Sequence, residues 1–275
     1  SEDQALTELV YGDAAEQVFP DNSIDVMYYS TSGHEIESFG GPGRMIKAVG
    51  STFRELKPGG RIIIRDFAKP TRTEPVYMRI LSSVGIDDVE KATHDGEIDY
   101  DLLSPRALFT RFHQEFAGGN VFEYEVVEID GAEYIKISPE WAHEFYLRKD
   151  YTGNWRQEIH EKYTYWTQEQ ARDVLNNAGY VDVEVVPDPN EYILENRLEG
   201  KVALFEKDKE GRLISVPFPP THMVAVGIKP RLTENGVLIQ EPINAVDYQA
   251  VKDSISVDGE NGVVTIGDKQ FKVSG

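Results

Sequence analysis

Apolar positions in the first 70 residues fall into blocks with different periods. Ile24, Val26 and Met27–Tyr29 make a near-continuous run over Ser23–Ser30, the pattern of a strand buried in a parallel sheet. Met45, Val49, Phe53 and Leu56 then recur at helical spacing from Gly43 to Leu56, and Lys57-Pro58-Gly59-Gly60 ends that helix and turns the chain. Arg61–Phe67, "RIIIRDF", reads as a second buried strand. Strand, helix and strand with short connections predict a right-handed parallel crossover, hence an α/β sheet with helices on its faces.

The middle of the chain is less regular. Within the polar stretch 71–103, one helix is expected around Val76–Val84. Ser104-Pro105 supplies an N-cap and a first-turn proline for a helix with Leu108, Phe109, Phe112 and Phe116 on its apolar face. Residues 121–137 alternate on both sides of Asp130-Gly131, a hairpin signal, and Ser138-Pro139 opens another helix with Trp141 and Phe145 one turn apart. Helical periodicity resumes at Thr167, where Thr-Gln-Glu-Gln forms a capping box, Ala171, Val174, Leu175 and Ala178 a buried stripe, and Gly179 the stop. Strands are expected at 180–186 and 222–230, together an antiparallel edge of the sheet. Turn pairs such as Asn235-Gly236, Asp258-Gly259 and Asn261-Gly262 then punctuate a small β-rich extension with one helix near Ala245–Ser254.

The predicted organisation is therefore an α/β core over 1–70, an inserted α+β cap over 71–165, the core's closing helix and strands over 166–230, and a C-terminal extension over 231–275. Composition narrows the function classes. Forty-eight acidic against 28 basic residues give a net charge of −20, which opposes general binding to a phosphate backbone. Absence of cysteine excludes disulfides, thiolate metal sites and cysteine nucleophiles. Apolar runs of only a few residues predict no membrane span. The opening Ser-Glu-Asp-Gln has no signal-peptide character, so a cytoplasmic location is expected.

The ordered set "GDA", "FPDNSIDVMYYS", "HEI" and "FRELKPGGRIIIRD", followed by "GNWRQEIHEKYTYWTQEQARDVLNNAGYVDVEVV" and "HMVAVGIKP", resembles class I S-adenosylmethionine-dependent methyltransferases, type 11-like, over roughly residues 10 to 230. The resemblance implies a Rossmann-like sheet, S-adenosylmethionine as cofactor and a small or medium-sized methyl acceptor. It places the turn Gly12, Asp13 and Ala14 at the adenine, where an acceptor-only carboxylate suits an exocyclic amine. Ser30 and Thr31 fall just past the carboxyl end of a strand, where open α/β sheets hold ligands.

His34 and Glu35 are the catalytic candidates. His34 is read as a general base or an acceptor-orienting group, or else as a histidine that fixes its loop. A zinc-protease helix would need a second histidine at position 38, which is Ser38, and no metal is expected. Arg156, His160, Tyr163 and Tyr165 are candidates for holding the acceptor. They also read as one face of an amphipathic helix on the cap. "HDGEIDYD" at 94–101 lacks the spacing of a calcium loop and reads as solvated loop.

The glycine-rich first motif and the ribose-binding acid that the resemblance demands do not precede Gly12, and "GGPGR" at 40–44 cannot replace them by position. The sequence therefore reads as the C-terminal portion of a methyltransferase, completed by an N-terminal segment or a second chain that pairs with the exposed Ser23–Ser30 edge. Two rivals remain: a catalytically silent methyltransferase-like binding or regulatory domain, and another nucleotide-binding enzyme such as a dehydrogenase, for which no phosphate-binding fingerprint appears.

Overall fold

The computed structural model describes residues 10–119 and 121–232, together with 238–239, 255–258, 263–266 and 269–272. It divides into two compact units, 1–230 and 231–275. In the first unit, strand β1 (Ile24–Ser30) leads into helices α1 (Gly33–Gly40) and α2 (Arg44–Glu55) and strand β2 (Leu56–Phe67). Strand β3 (Val76–Ile80), the short hairpin β4 (Thr93–His94) and β5 (Glu97–Ile98), helix α3 (Pro105–Glu115), the hairpin β6 (Tyr124–Ile129) and β7 (Ala132–Ile137), and helix α4 (Pro139–Arg148) follow. The turn α5 (Trp155–Glu158) precedes helix α6 (Gln168–Asn177) and strands β8 (Val181–Asp188), β9 (Val202–Lys207), β10 (Leu213–Val216) and β11 (His222–Ile228).

The first sheet has the order β1-β2-β11-β8. β1 and β2 are parallel, with Val26 beside Arg61 and Tyr29 beside Ile64. β11 runs antiparallel to both β2 and β8, so the β8–β11 pair forms the expected antiparallel edge. The α/β class holds. Met45, Ala48 and Val49 of α2 and Ala171 and Leu175 of α6 share one buried core with Ile62 and Ile64 of β2, which explains the helical spacing of these apolar residues. The predicted capping box on α6 is present: Thr167 accepts from the Gln170 amide while the Gln170 side chain accepts from the Thr167 amide.

Lys57-Pro58-Gly59-Gly60 does more than end a helix. It lies within β2 and shifts the pairing register between Ile24 and Val26. A Cβ on Gly60 would sit 2.8 Å from the Lys57 carbonyl and 3.0 Å from that of Asp25, so only glycine fits where the two backbones touch.

A second, wholly antiparallel sheet has the order β10-β9-β3-β7-β6. Here the expectation of a helix around Val76–Val84 is corrected. Val76–Ile80 is instead the central strand, hydrogen-bonded to β9 on one side and β7 on the other. Five residues rich in β-branched and aromatic types settle in a sheet once two partners flank them. Residues 202–216, which lie within the 166–230 stretch assigned to the core, supply β9 and β10 to this second sheet. Phe109 and Phe112 of α3 and Phe145 of α4 pack with Met78, Ile135 and Ile137 in its core. Asp130 and Gly131 both take positive φ, 51° and 73°, at the predicted hairpin turn.

The second unit holds β12 (Arg231–Leu232) paired with β13 (Leu238–Ile239), and an antiparallel sheet of β14 (Ile255–Asp258), β15 (Val263–Ile266) and β16 (Lys269–Lys272). The helix expected near 245–254 lies outside the described residues. Among those residues no helix is long and apolar enough to cross a membrane. Among the described strands β1 pairs only with β2, and its side chains Val26 and Tyr28 are 51% and 43% exposed.

Candidate active site

His34 stands in the first turn of α1, just past the carboxyl end of β1, and Asp66 lies near the carboxyl end of β2. The parallel pairing brings these ends together. Four donors converge on the buried Asp66 carboxylate. Oδ1 accepts from His34 Nδ1 at 2.8 Å and from the Phe67 amide at 2.8 Å, and Oδ2 accepts from the His34 amide at 2.9 Å and from the Tyr165 hydroxyl at 3.2 Å. With Nδ1 donating to Asp66, a neutral His34 ring carries its lone pair on Nε2. Gly33 is required by the same closeness, since a Cβ there would lie 2.5 Å from the Tyr165 oxygen and 2.8 Å from Asp66 Oδ2.

The segment after α5 closes over this pair. Glu161, only 4% exposed, brings Oε2 to 3.5 Å from His34 Nε2. Tyr163 stacks on Phe67 at 4.1 Å and meets the His34 ring edge-on at 5.2 Å. The Lys162 amide donates to Ser38 Oγ at 2.7 Å, which ties the segment to α1. Burial opposes protonation of His34, but the hydrogen bond and charge of Asp66 and the charges of Glu161 and Glu35 outweigh it and raise its pKa above the ordinary value. Burial also raises the pKa of the Glu35 carboxyl; His34 opposes that shift and Glu161 adds to it.

A buried ion pair holds the covering segment. Arg148 and Glu144 of α4 are both fully buried. Arg148 donates to the carbonyls of Glu158 and Glu161 and to the Glu144 carboxylate, and its guanidinium lies 4.4 Å from the Tyr163 ring centre. Glu144 accepts from the amides of Tyr163 and Thr164 at 3.3 and 2.7 Å and from the Thr164 hydroxyl at 2.5 Å. Two side chains one helical turn apart therefore fix the backbone that carries Glu161 and Tyr163.

The turn at Gly12, Asp13 and Ala14 lies beside β1. Tyr29 donates to the Ala14 carbonyl at 3.4 Å, and Ser51 of α2 donates to the Ala15 carbonyl at 3.1 Å. The exposed Asp13 carboxylate accepts from the Ala15 amide at 2.9 Å and pairs with Arg44; these two contacts, the amide first, lower its pKa. Ser30 is exposed at the end of β1, and Thr31 after it has φ 51°. A β-branched residue in that region is a strained outlier, and such strain gathers at ligand sites.

The candidate acceptor residues separate. Tyr163 and Tyr165 join His34 and Asp66. Arg156 is exposed, faces Glu97 at 3.5 Å and lines a different cleft of about 490 Å³ with Tyr100 and Trp155; His160 is exposed on the turn after α5. Sequence reasoning missed Asp66, Gly33 and Glu161. Asp66 had a signal, an acid at the carboxyl end of "RIIIRD", where α/β sheets hold ligands. Glu161 had none, because nothing local brings it to His34.

Behind Phe67, His222 stacks on that ring at 4.6 Å and its Nδ1 pairs with Thr221 at 2.9 Å. Burial depresses its pKa to about 4 and that of fully buried His143, which His222 also repels, to about 3. Both lie below the unfolded value of about 6.5, so the stability they confer is full above about pH 6.5 and falls as pH drops toward the folded values. His34, shifted upward, acts in the opposite sense. The two depressed histidines together give an expected loss from pH 7 to pH 5 of roughly 3–4 kcal/mol, which His34 offsets in part. Urea midpoints at the two pH values check it, and His143→Gln should reduce the difference.

No family model matches the sequence, and no curated protein matches it. Solved structures that match the chain include a SAM-dependent methyltransferase from Thermotoga maritima (13% identity, 80% of this chain and 62% of that chain, TM-score 0.35). Others are an S-adenosylmethionine dependent methyltransferase from Mesorhizobium loti (13%, 83% and 72%, 0.36) and a methyltransferase from Bacillus halodurans (13%, 83% and 74%, 0.36). The chain spans 43%, 62% and 64% of the length of three of the matched chains. At TM-scores below 0.5 the fold assignment rests on the strand order and pairing described above: the chain has an α/β fold whose parallel pair β1–β2 is joined to an antiparallel pair.

Proposed function

We propose that the chain forms part of a cytoplasmic S-adenosylmethionine-dependent methyltransferase acting on a small or medium-sized acceptor. The carrying observation is that the strained Thr31 and the His34–Asp66 pair lie at the carboxyl ends of β1 and β2, while Tyr29, next to the last residue of β1, holds the Ala14 carbonyl of the Asp13 turn. When bound, S-adenosylmethionine supplies a methyl group on a sulfonium. Asp13, held by the Ala15 amide and Arg44, presents an acceptor-only carboxylate suited to the adenine amine. The described residues fit that end of the cofactor. Among them no strand and glycine-rich turn meets the methionine end, and an N-terminal segment or second chain pairing with the open side of β1 is proposed to supply it.

On the acceptor side, Asp66 fixes the His34 ring, and Tyr163 and Glu161 exclude water from it. Methyl transfer is an in-line displacement, so positioning of this kind supplies much of the rate. Calorimetric titration of the intact protein with S-adenosylmethionine tests the reading. Saturable binding is expected, and Asp13→Ala should weaken it about 10- to 100-fold, the loss of a hydrogen bond to a charged group. No binding by the intact protein refutes the reading. Binding without turnover across acceptors would favour the catalytically silent domain.

A further inference from the structure

His34, Glu35 and Glu161 place one imidazole nitrogen and two carboxylate oxygens within 4.8 Å of one another. Three features distinguish this group from a chance cluster of acids. First, His34 is 3% exposed and its Nε2 faces Glu161 Oε2 at 3.5 Å, beyond the range of about 2.7–3.2 Å for an N–H···O hydrogen bond. That distance is close to the separation of roughly 3.4 Å between two ligands on a tetrahedral cation with bonds near 2.1 Å. Second, the other ring nitrogen donates to buried Asp66 at 2.8 Å, the carboxylate–histidine arrangement that orients a ring toward a metal and raises its basicity. Third, the ligands come from two segments, α1 and the turn after α5; the Ser38–Lys162 contact ties the second to the first, and the Glu144–Arg148 pair of α4 fixes the backbone of the second.

We propose that His34 Nε2, Glu35 and Glu161 bind one first-row divalent cation of the Zn²⁺ or Mn²⁺ type. One nitrogen and two carboxylates suit such borderline ions better than Ca²⁺, which takes six to eight oxygens. Three protein ligands leave a position for water or, where the methyl-transfer reading holds, for an oxygen of the acceptor. Glu161 then has a second role: it closes the site only while the segment that carries it is in place. The site extends the His34–Glu35 pairing and does not use the spaced-histidine pattern absent from the sequence.

The test uses the metal alone and is independent of S-adenosylmethionine. Intact protein stripped with chelator is titrated with Zn²⁺ by calorimetry and with Mn²⁺ by electron paramagnetic resonance. One saturable equivalent is expected, weakened at least about tenfold by Glu161→Gln and by the exposed Glu35→Gln, and about 10- to 100-fold by Asp66→Asn. His94→Asn, in the acidic loop remote in sequence, should leave it unchanged. Circular dichroism confirms that each variant folds. The proposal is overturned by absence of saturable binding, by binding that Glu35→Gln and Glu161→Gln both leave intact, or by binding lost in His94→Asn. Metal binding without S-adenosylmethionine binding would uphold this site and refute the methyl-transfer reading; the reverse would do the opposite.

Discussion

Replacing Arg148 with methionine is expected to destabilise the first unit by about 3–5 kcal/mol, the range for breaking a buried ion pair by removing one partner. The variant leaves the Glu144 carboxylate buried without its cation and removes the Arg148 donor from the Glu158 and Glu161 carbonyls. Methionine fills much of the space among Phe112, Phe116 and Tyr163, so the loss reports the charge and hydrogen bonds more than a cavity. The urea midpoint measures it. The double variant Arg148→Met, Glu144→Leu should lose less than the single one, because no lone charge remains buried. A single-variant loss under 1 kcal/mol would mean that the pair does not hold the 158–164 segment.

Asp66→Asn is expected to reverse the titration of His34. In the native site the hydrogen bond and charge of Asp66, with Glu161 and Glu35, overcome burial and raise the histidine pKa. An amide removes the charge and replaces one acceptor oxygen by a donor, so burial should then prevail and the pKa fall below its native value. Nitrogen chemical shifts of the ring in chelator-treated protein report the direction. The change also leaves one of the donors around Asp66 unmatched, a cost of about 1–3 kcal/mol. Under the methyl-transfer reading, kcat for an acceptor should fall about 10²- to 10⁴-fold, while affinity for S-adenosylmethionine, bound through the Asp13 turn, should hold. An unchanged His34 pKa would separate Asp66 from the function of the ring.

The sequence carried the parts of this site that local chemistry determines. The β1 and β2 strands, the α2 stripe, the α6 capping box and the Asp130-Gly131 turn each follow from residues within a few positions of one another. Val76–Ile80 was misread as a helix because its strand identity comes from β7 and β9, which pair with it from residues 132–137 and 202–207. His34 was visible as a candidate by its place after a strand. Its partners were not, because Asp66, Glu161 and Tyr163 reach it through the crossover and through the Glu144–Arg148 pair, contacts between residues 32 to 129 positions apart. Arg156 and Tyr163 looked like one cluster in sequence. The turn after α5 sends them to different surfaces.

The central claim is that the carboxyl ends of β1 and β2, with the Asp13 turn, form one face of a methyl-donor site. Ultraviolet cross-linking of the intact protein with S-adenosylmethionine carrying a radiolabelled methyl group, followed by peptide mapping, tests it most directly. The account predicts label within residues 10–36, competed away by excess unlabelled cofactor and diminished in Asp13→Ala. Absence of competed label, or label confined to peptides from the second sheet, would contradict it.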